Sequence, residues 1–288
     1  MIRASDITCS PMTASSVTGN LRYLESARHI SAIVPSVGGE EKPELENPTV
    51  DVPVSIRDGR DHTEHFQLDR QGFCLQNMTS AVDDFYDDDQ IRNIYENEVR
   101  TLLLTITGAS QVEVFDHTRR AASSDIRRDR QVREPATSVH CDYTPLSGIQ
   151  RLLDHYRQDA DEVIRLMKNR FAIVNVWRPV NASVETTPMA VCDARTLSPG
   201  DLVPVKRMGR DRLGEIQQAL PNPRHAWHYF PRMTRNEALL IKTYDSDPKI
   251  PARFTLHTAF EDPTSPPGAA PRESIETRCF LFFESEEK

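Results

Sequence analysis

The side chains with the most chemical potential are His140 and Asp142, set on either side of Cys141 in Ser138-Val139-His140-Cys141-Asp142-Tyr143-Thr144. In an extended strand, residues two apart point to the same face. An imidazole and a carboxylate therefore enter one space. His257 stands far downstream in a second strand-like stretch, Phe254-Thr255-Leu256-His257-Thr258-Ala259-Phe260. Two His and one carboxylate on one side of a metal form the facial set of non-haem Fe(II) oxygenases, which leaves the other positions open. These three residues are the candidate metal ligands and the candidate catalytic set. Arg272 and Ser274 follow, again two apart, in Arg272-Glu273-Ser274. A guanidinium fork pairs bidentately with a carboxylate, and a hydroxyl adds a donor. The pair suits the distal carboxylate of 2-oxoglutarate, whose keto-acid end would chelate Fe(II) beside a position for O2. Arg278 has the same strand parity, as does Glu276, so Arg278 is expected to meet the co-substrate, the substrate or Glu276 and competes for that role. Arg272 is favoured because its gap of 15 residues from His257 resembles the one that oxygenases of this type use.

Further residues are candidates for binding a substrate. Phe171 to Trp177 is a largely apolar strand that ends in Trp177-Arg178-Pro179. A charge emerging from a core strand is either paired or binds an anion. Arg178 is therefore expected to orient a small, anionic substrate, with Glu185 or Asp193 as the alternative partner. Trp177, Tyr143 (beside Asp142) and Tyr229 are expected to line the same pocket. His225 and His228 flank Trp227 and read as structural, with His225 a candidate pocket liner. His117 reads as a turn residue or a neighbour of the site mouth. His29, His62, His65 and His155 read as surface residues, and Lys242 as part of a strand end.

These residues need strands to hold them. Val50, Val52, Val54 and Ile56 alternate and read as a strand, with Pro53 marking an edge position. Further short strands are expected at 66–69, 112–115, 171–177, 189–192, 202–205, 226–230, 238–242 and 279–283. Apolar residues at helical spacing from Asp84 to Leu104 predict a helix, and Asp87-Asp88-Asp89 suits its N-terminus. A second helix is expected over 149–167 and a short one over 21–33. A linker is expected over 37–48, and residues 116–133 are polar and Arg-rich. Many short strands with Pro and Gly turns, flanked by helices, predict a mainly β jelly-roll barrel of the cupin-like, double-stranded β-helix kind. The expected division is an N-terminal extension, partly irregular, over 1–48 and a single oxygenase domain over 49–288.

Composition narrows the class. The formal net charge of −8 over 288 residues argues against a nucleic-acid binder, which would carry a basic face. No apolar run approaches the ~20 residues that span a bilayer, and the N-terminal residues lack the apolar core of a signal peptide. The cysteines, Cys9, Cys74, Cys141, Cys192 and Cys279, form no CxxC pair. They read as reduced thiols in a cytoplasmic protein. Oligomeric state is left open.

Several blocks together resemble a known family. They are Val114-Phe115-Asp116-His117, Val139-His140-Cys141-Asp142-Tyr143-Thr144, Asn175-Val176-Trp177-Arg178-Pro179, His228-Tyr229-Phe230-Pro231-Arg232-Met233, Lys242-Thr243-Tyr244-Asp245-Ser246, His257-Thr258-Ala259-Phe260 and Pro271-Arg272-Glu273-Ser274-Ile275-Glu276-Thr277-Arg278. Their order and spacing are similar to the hydroxylase/desaturase family that includes a fungal gibberellin desaturase and a bacterial cephem hydroxylase. The His225-Ala226-Trp227-His228 stretch departs from that pattern. The resemblance implies a double-stranded β-helix, Fe(II), 2-oxoglutarate and O2, and a place in secondary (specialised) metabolism of a fungal kind. The expected activity is that of a non-haem dioxygenase that hydroxylates, desaturates or cyclises a small metabolite. Two alternatives stand beside it: an Fe(II) oxidase that uses O2 without 2-oxoglutarate, and a catalytically silent cupin-like binding protein. Arg272 and Ser274 argue against the first, and the intact His-Asp-His set against the second.

Overall fold

Alternation decides the first ordered segment. Leu21 and Tyr23 are buried while Asn20 and Arg22 face out, a period of two that only a strand satisfies. In the computed structural model this segment is β1 (Ser16–Leu24), paired antiparallel along its length with β2 (Thr49–Asp58). The helix expected over 21–33 is therefore not formed, and the boundary expected at 48/49 falls between two hydrogen-bonded neighbours. The structure describes residues 15–284 apart from 29, 36–37, 40–45, 158 and 210–212. Cys9, His29 and most of the expected linker lie outside the described residues.

The remaining strands are β3 (Phe73–Asn77), β4 (Gln111–Ala121), β5 (His140–Cys141), β6 (Phe171–Pro179), β7 (Met189–Cys192), β8 (Leu202–Met208), β9 (Leu213–Ala219), β10 (Trp227–Tyr229), β11 (Glu237–Asp245), β12 (His257–Ala259) and β13 (Glu273–Phe282). They form two sheets, ordered β1-β2-β10-β7-β12-β5-β9-β8 and β3-β11-β6-β13-β4. Consecutive strands mostly alternate between the sheets, which is the winding of a jelly roll. Pro53 is accommodated because β10 reaches β2 only at Ile56–Asp58, so the missing N–H of Pro53 costs no ladder bond. The larger sheet curls until β1 meets the residues before β5: the Val139 N–H donates to the Arg22 carbonyl at 2.8 Å. Leu21, Tyr23, Ile56, Cys141, Trp227 and Phe260 fill that curl.

The central strand β6 is buried at every position, as a strand covered on both faces must be. Val174 and Val176 pack outward with Val99 and Leu103 of the Glu96–Thr107 helix, which continues from Asp88–Gln90 through a π turn at Ile91–Tyr95. The Asp87 carboxylate caps the N-terminus of that segment. On the other face Trp177 joins Phe73, Val191 and Ile241 between the sheets. The single helix expected over 149–167 is two, Pro145–His155 and Ala160–Met167.

Candidate active site

The strand that carries His140 is only two residues long, and the next few residues explain why. Thr144 begins a helix: its hydroxyl accepts from the Ser147 N–H at 3.0 Å, and its own N–H donates to the Ser147 hydroxyl at 2.8 Å. Pro145 follows at the first helical position, where its fixed φ is already helical. The chain therefore leaves the ladder after Cys141, and Asp142 turns into the space between the sheets. His257 on β12 lies directly opposite His140, and the two rings are 4.4 Å apart, centre to centre.

The three candidate ligands converge. Their ligating atoms lie within 4.8 Å of one another. Asp142 Oδ1 is 3.5 Å from His140 Nε2 and 3.9 Å from His257 Nε2. Each ring is oriented by its other nitrogen, His140 Nδ1 to the Ser138 carbonyl at 2.8 Å and His257 Nδ1 to the Thr255 carbonyl at 3.1 Å. That places the proton on Nδ1 and leaves the Nε2 lone pairs for a metal. Burial and the neighbouring His140 push the His257 pKa down, so the ring is neutral. Burial raises the Asp142 pKa, but Arg278 and the two histidines outweigh it and hold the carboxyl well below its usual value. A divalent iron requires unprotonated ligating ring nitrogens and an ionised carboxyl.

The second carboxylate oxygen of Asp142 is occupied. Oδ2 accepts from Asn175 Nδ2 at 2.8 Å and from Arg278 Nε at 2.9 Å. Arg278 is further engaged by Asp116 at 2.7 Å, by the Thr118 hydroxyl at 2.9 Å and by Glu276. Burial lowers its pKa, yet Asp142, Glu276 and Asp116 together raise it well above the ordinary value.

Arg272 is different. It is fully buried and stacks on the Trp177 ring at 5.5 Å. Its Nη1 donates to the Thr187 carbonyl at 2.6 Å, but Nε and Nη2 have no partner among the described residues. The Trp177 Nε1 and Thr187 Oγ1 beside it are also unpartnered. Burial and then Arg120 push the guanidinium pKa down to about 9, which still leaves it protonated at neutral pH. A buried cation with free donors is costly unless an anion completes it. The residues present thus fit a carboxylate here, as they fit a metal at the His-Asp-His set. Ser274 is buried one step along β13.

The other candidates divide. Trp177 faces the interior, and Tyr143 lines the cleft that opens on His140 and Asp142. Tyr229 sits on the opposite face of its sheet, edge-on to Phe260 at 5.5 Å, and lines a separate surface cleft with Arg60 and Arg232. Arg178 also faces away from the site. It lies 4.8 Å from the Phe85 ring, and its Nη2 donates to the Met78 and Arg235 carbonyls. Strand parity is the reason: Asn175 and Trp177 point inward, so Arg178 points out toward Tyr95. Neither Glu185 nor Asp193 is its partner; Asp193 holds Arg195. His225 is bound to Tyr23 at 2.9 Å and Asp201 at 3.1 Å outside the pocket. His117 joins Thr277 to Glu96 on the helix side, His155 is half-buried among aromatic rings, and Lys242 is buried with Asp69 and Asp245. Glu276 is the partner of Arg278 that strand parity offered, whereas the sequence reading assigned no role to Asn175 or Asp116. Only Asn175 carried a signal, as a lone amide inside an apolar strand.

Comparisons with known proteins agree with this geometry. A family model described as an oxidoreductase/YMDC permease-like domain matches residues 21–282. Hydroxylase/desaturase CTB9 of Cercospora beticola is 34% identical over 255 residues, covering 81% of this chain and 77% of its own length. The Fe(II)/2-oxoglutarate-dependent dioxygenase nvfI of Aspergillus novofumigatus is 32% identical over 237 residues, covering 80% and 82%. The chain belongs to this hydroxylase/desaturase family. A solved structure of the iron and alpha-ketoglutarate-dependent endoperoxidase NvfI matches with a TM-score of 0.80 and 26% identity, over 94% of this chain and 99% of that one. The protein is thus a jelly-roll Fe(II)/2-oxoglutarate-dependent dioxygenase, and its cofactor and co-substrates are Fe(II), 2-oxoglutarate and O2. Among the described residues, no helix is long and apolar enough to cross a membrane.

Proposed function

We propose that His140, Asp142 and His257 hold the Fe(II), and that Arg272, helped by Ser274, binds the distal carboxylate of 2-oxoglutarate. The reading is carried by one observation. Two Nε2 atoms and Oδ1 converge while every other polar atom of those ligands is committed elsewhere. With iron bound, oxidative decarboxylation of 2-oxoglutarate puts one atom of O2 into succinate as CO2 leaves, and the other serves to oxidise a C–H bond. The chain's own part is orientation. Asn175 and Arg278 fix Asp142 so that only Oδ1 faces the metal, and the carbonyls of Ser138 and Thr255 fix the rings. Tyr143 and Trp177 shape the space for a small specialised metabolite that is hydroxylated, desaturated or cyclised. The buried free thiols Cys74, Cys141, Cys192 and Cys279 support a cytoplasmic setting.

Anaerobic metal content tests the ligand set. His140→Ala and His257→Ala are expected to lose bound iron, and wild-type stoichiometry in both would remove the assignment. Succinate release with and without Fe(II) tests the co-substrate. Oxygen uptake without succinate would favour the oxidase that uses O2 alone.

A further inference from the structure

The metal site leaves the Arg-rich stretch of residues 116–133 unexplained. Several of its cations are already engaged, although Arg119 and Arg130 also line the cleft. Arg119 donates to the Phe85 carbonyl at 2.6 Å and to Asp88 at 2.7 Å. Arg127 holds the Ala121 and Ala122 carbonyls, Arg128 pairs with Asp125, and Arg130 lies over the Tyr86 ring. Arg120 and Arg133 are bridge partners across two segments, and both line the cleft of about 1940 Å³ that reaches His140 and Asp142. Arg120 gives one nitrogen to the Glu134 carbonyl at 2.8 Å.

Arg207 of β8 lines the same cleft. It is half-buried, and its side chain has no hydrogen bond or ion pair among the described residues. Burial, and then Arg133, Arg278 and Arg120, push its pKa down to about 10 against the opposing charge of Asp142. The carboxylates of the cleft do not complete it. Asp142 and Asp116 are taken by Arg278, Glu215 accepts from the Thr144 hydroxyl at 2.6 Å, and Asp154 accepts from Gln150. Glu46, beside Arg22 and Glu134, lines the cleft, as does Glu134, with no ion pair from either to Arg207 among the described residues. The chain is acidic overall, so a concentration of guanidinium groups here is not a by-product of composition. Gathering like charges in a partly desolvated space costs free energy unless an anion enters.

We infer that this cleft takes a substrate carrying a carboxylate or another oxyanion, and that Arg207 pairs with that group inside the field of Arg120 and Arg133. The inference rests on the cleft being the substrate's route to the His-Asp-His site. The rival source of an oxyanion is 2-oxoglutarate itself, and the experiment separates the two.

The full chain, loaded anaerobically with Fe(II) and 2-oxoglutarate, is titrated with 2-naphthoate and with its neutral, size-matched amide, following tryptophan fluorescence. The acid is expected to bind at least roughly fivefold more tightly than the amide. Added salt should erode that preference. Arg207→Gln should abolish it while the amide binds as before, and Arg92→Gln, an exposed residue outside the cleft, should leave it intact. The 2-oxoglutarate affinity of Arg207→Gln should match wild type. Equal binding of acid and amide to wild type, or a preference that survives Arg207→Gln, overturns the inference. Loss of 2-oxoglutarate affinity in Arg207→Gln also overturns it, because the cluster would then serve the co-substrate. If wild type binds no 2-oxoglutarate at all, the co-substrate reading fails, and the naphthoate comparison run with Fe(II) alone still decides this one.

Discussion

Arg272 and Arg278 are at or beside the same strand with the same parity, the first fully buried and the second largely so, yet their surroundings are opposites. Arg278 meets three carboxylates and a hydroxyl. Arg272 meets one carbonyl and an indole face, with two of its nitrogens unpartnered among the described residues. The first is a finished internal salt bridge, which fixes the orientation of Asp142. The second is an unfinished one, stable only because the rest of the fold offsets it. Burial alone does not distinguish a structural cation from a binding one; the completeness of its partners does.

The largest expected effect comes from removing the finished arginine. Arg278→Gln leaves Asp142, Asp116 and Glu276 facing one another without their common cation. Breaking a buried pair from one side costs about 3–5 kcal/mol, and urea unfolding should show a loss of that order. Iron affinity should also fall, by roughly 10–100-fold, because the support of a metal ligand is gone. A stability loss under about 1 kcal/mol would break the comparison.

Arg272→Met should do the reverse to the ligand-free protein. Replacing an uncompensated buried charge by an apolar chain is neutral or stabilising, so the melting temperature should hold or rise. The Kd for 2-oxoglutarate, read from the metal-to-ligand absorption band, should rise at least tenfold, about 1.4 kcal/mol. Added 2-oxoglutarate, which raises the melting temperature of wild type by mass action, should no longer do so. If affinity is lost in Arg278→Gln and kept in Arg272→Met, the two roles are exchanged.

Arg178 sharpens the contrast from the other side of the sheet. It too is fully buried with two unpartnered nitrogens, but it holds two carbonyls and lies over Phe85. Arg178→Met should cost about 1–3 kcal/mol through the freed carbonyls. Succinate release per folded molecule should stay unchanged, and a selective loss of turnover would restore Arg178 to the site.

What was legible in the chain follows from the same physics. The pair His140 and Asp142 was readable because strand parity is local and needs no partner. His257, Arg272 and Ser274 were readable as residue types on strand-like stretches. Arg178 was misplaced because parity is unforgiving: one residue beyond the inward Trp177, the side chain emerges on the other face. Tyr229 went wrong in the same way, since His228 takes the inward position of β10. The helix expected over 21–33 failed because the pairing of β1 with β2, set by tertiary contact, overrides weak local propensity. Asn175, Asp116 and Arg207 come from three distant strands, and no single-strand pattern announces that they share one space.

The smallest expected effect concerns a base that can escape the difficulty Arg272 cannot. His228 faces the interior from β10, packs on the Phe66 and Phe73 rings, and has an unpartnered Nδ1. A guanidinium keeps its charge when buried; an imidazole sheds it. Burial, with Arg57 adding to it, pushes the His228 pKa from 6.5 to about 4. The folded pKa lies below the unfolded one, so between these values the unfolded chain binds more protons and stability rises with pH. The contribution is complete above about pH 6.5 and is lost as pH falls from there toward 4. Full burial would make it about 3 kcal/mol, and partial exposure reduces it to about 1–2 kcal/mol. His228→Phe keeps the ring packing and removes the titration. Urea melts at pH 7 and pH 5 should therefore differ less in the variant than in wild type, and an unchanged difference would show that the His228 ring is not held neutral by its burial.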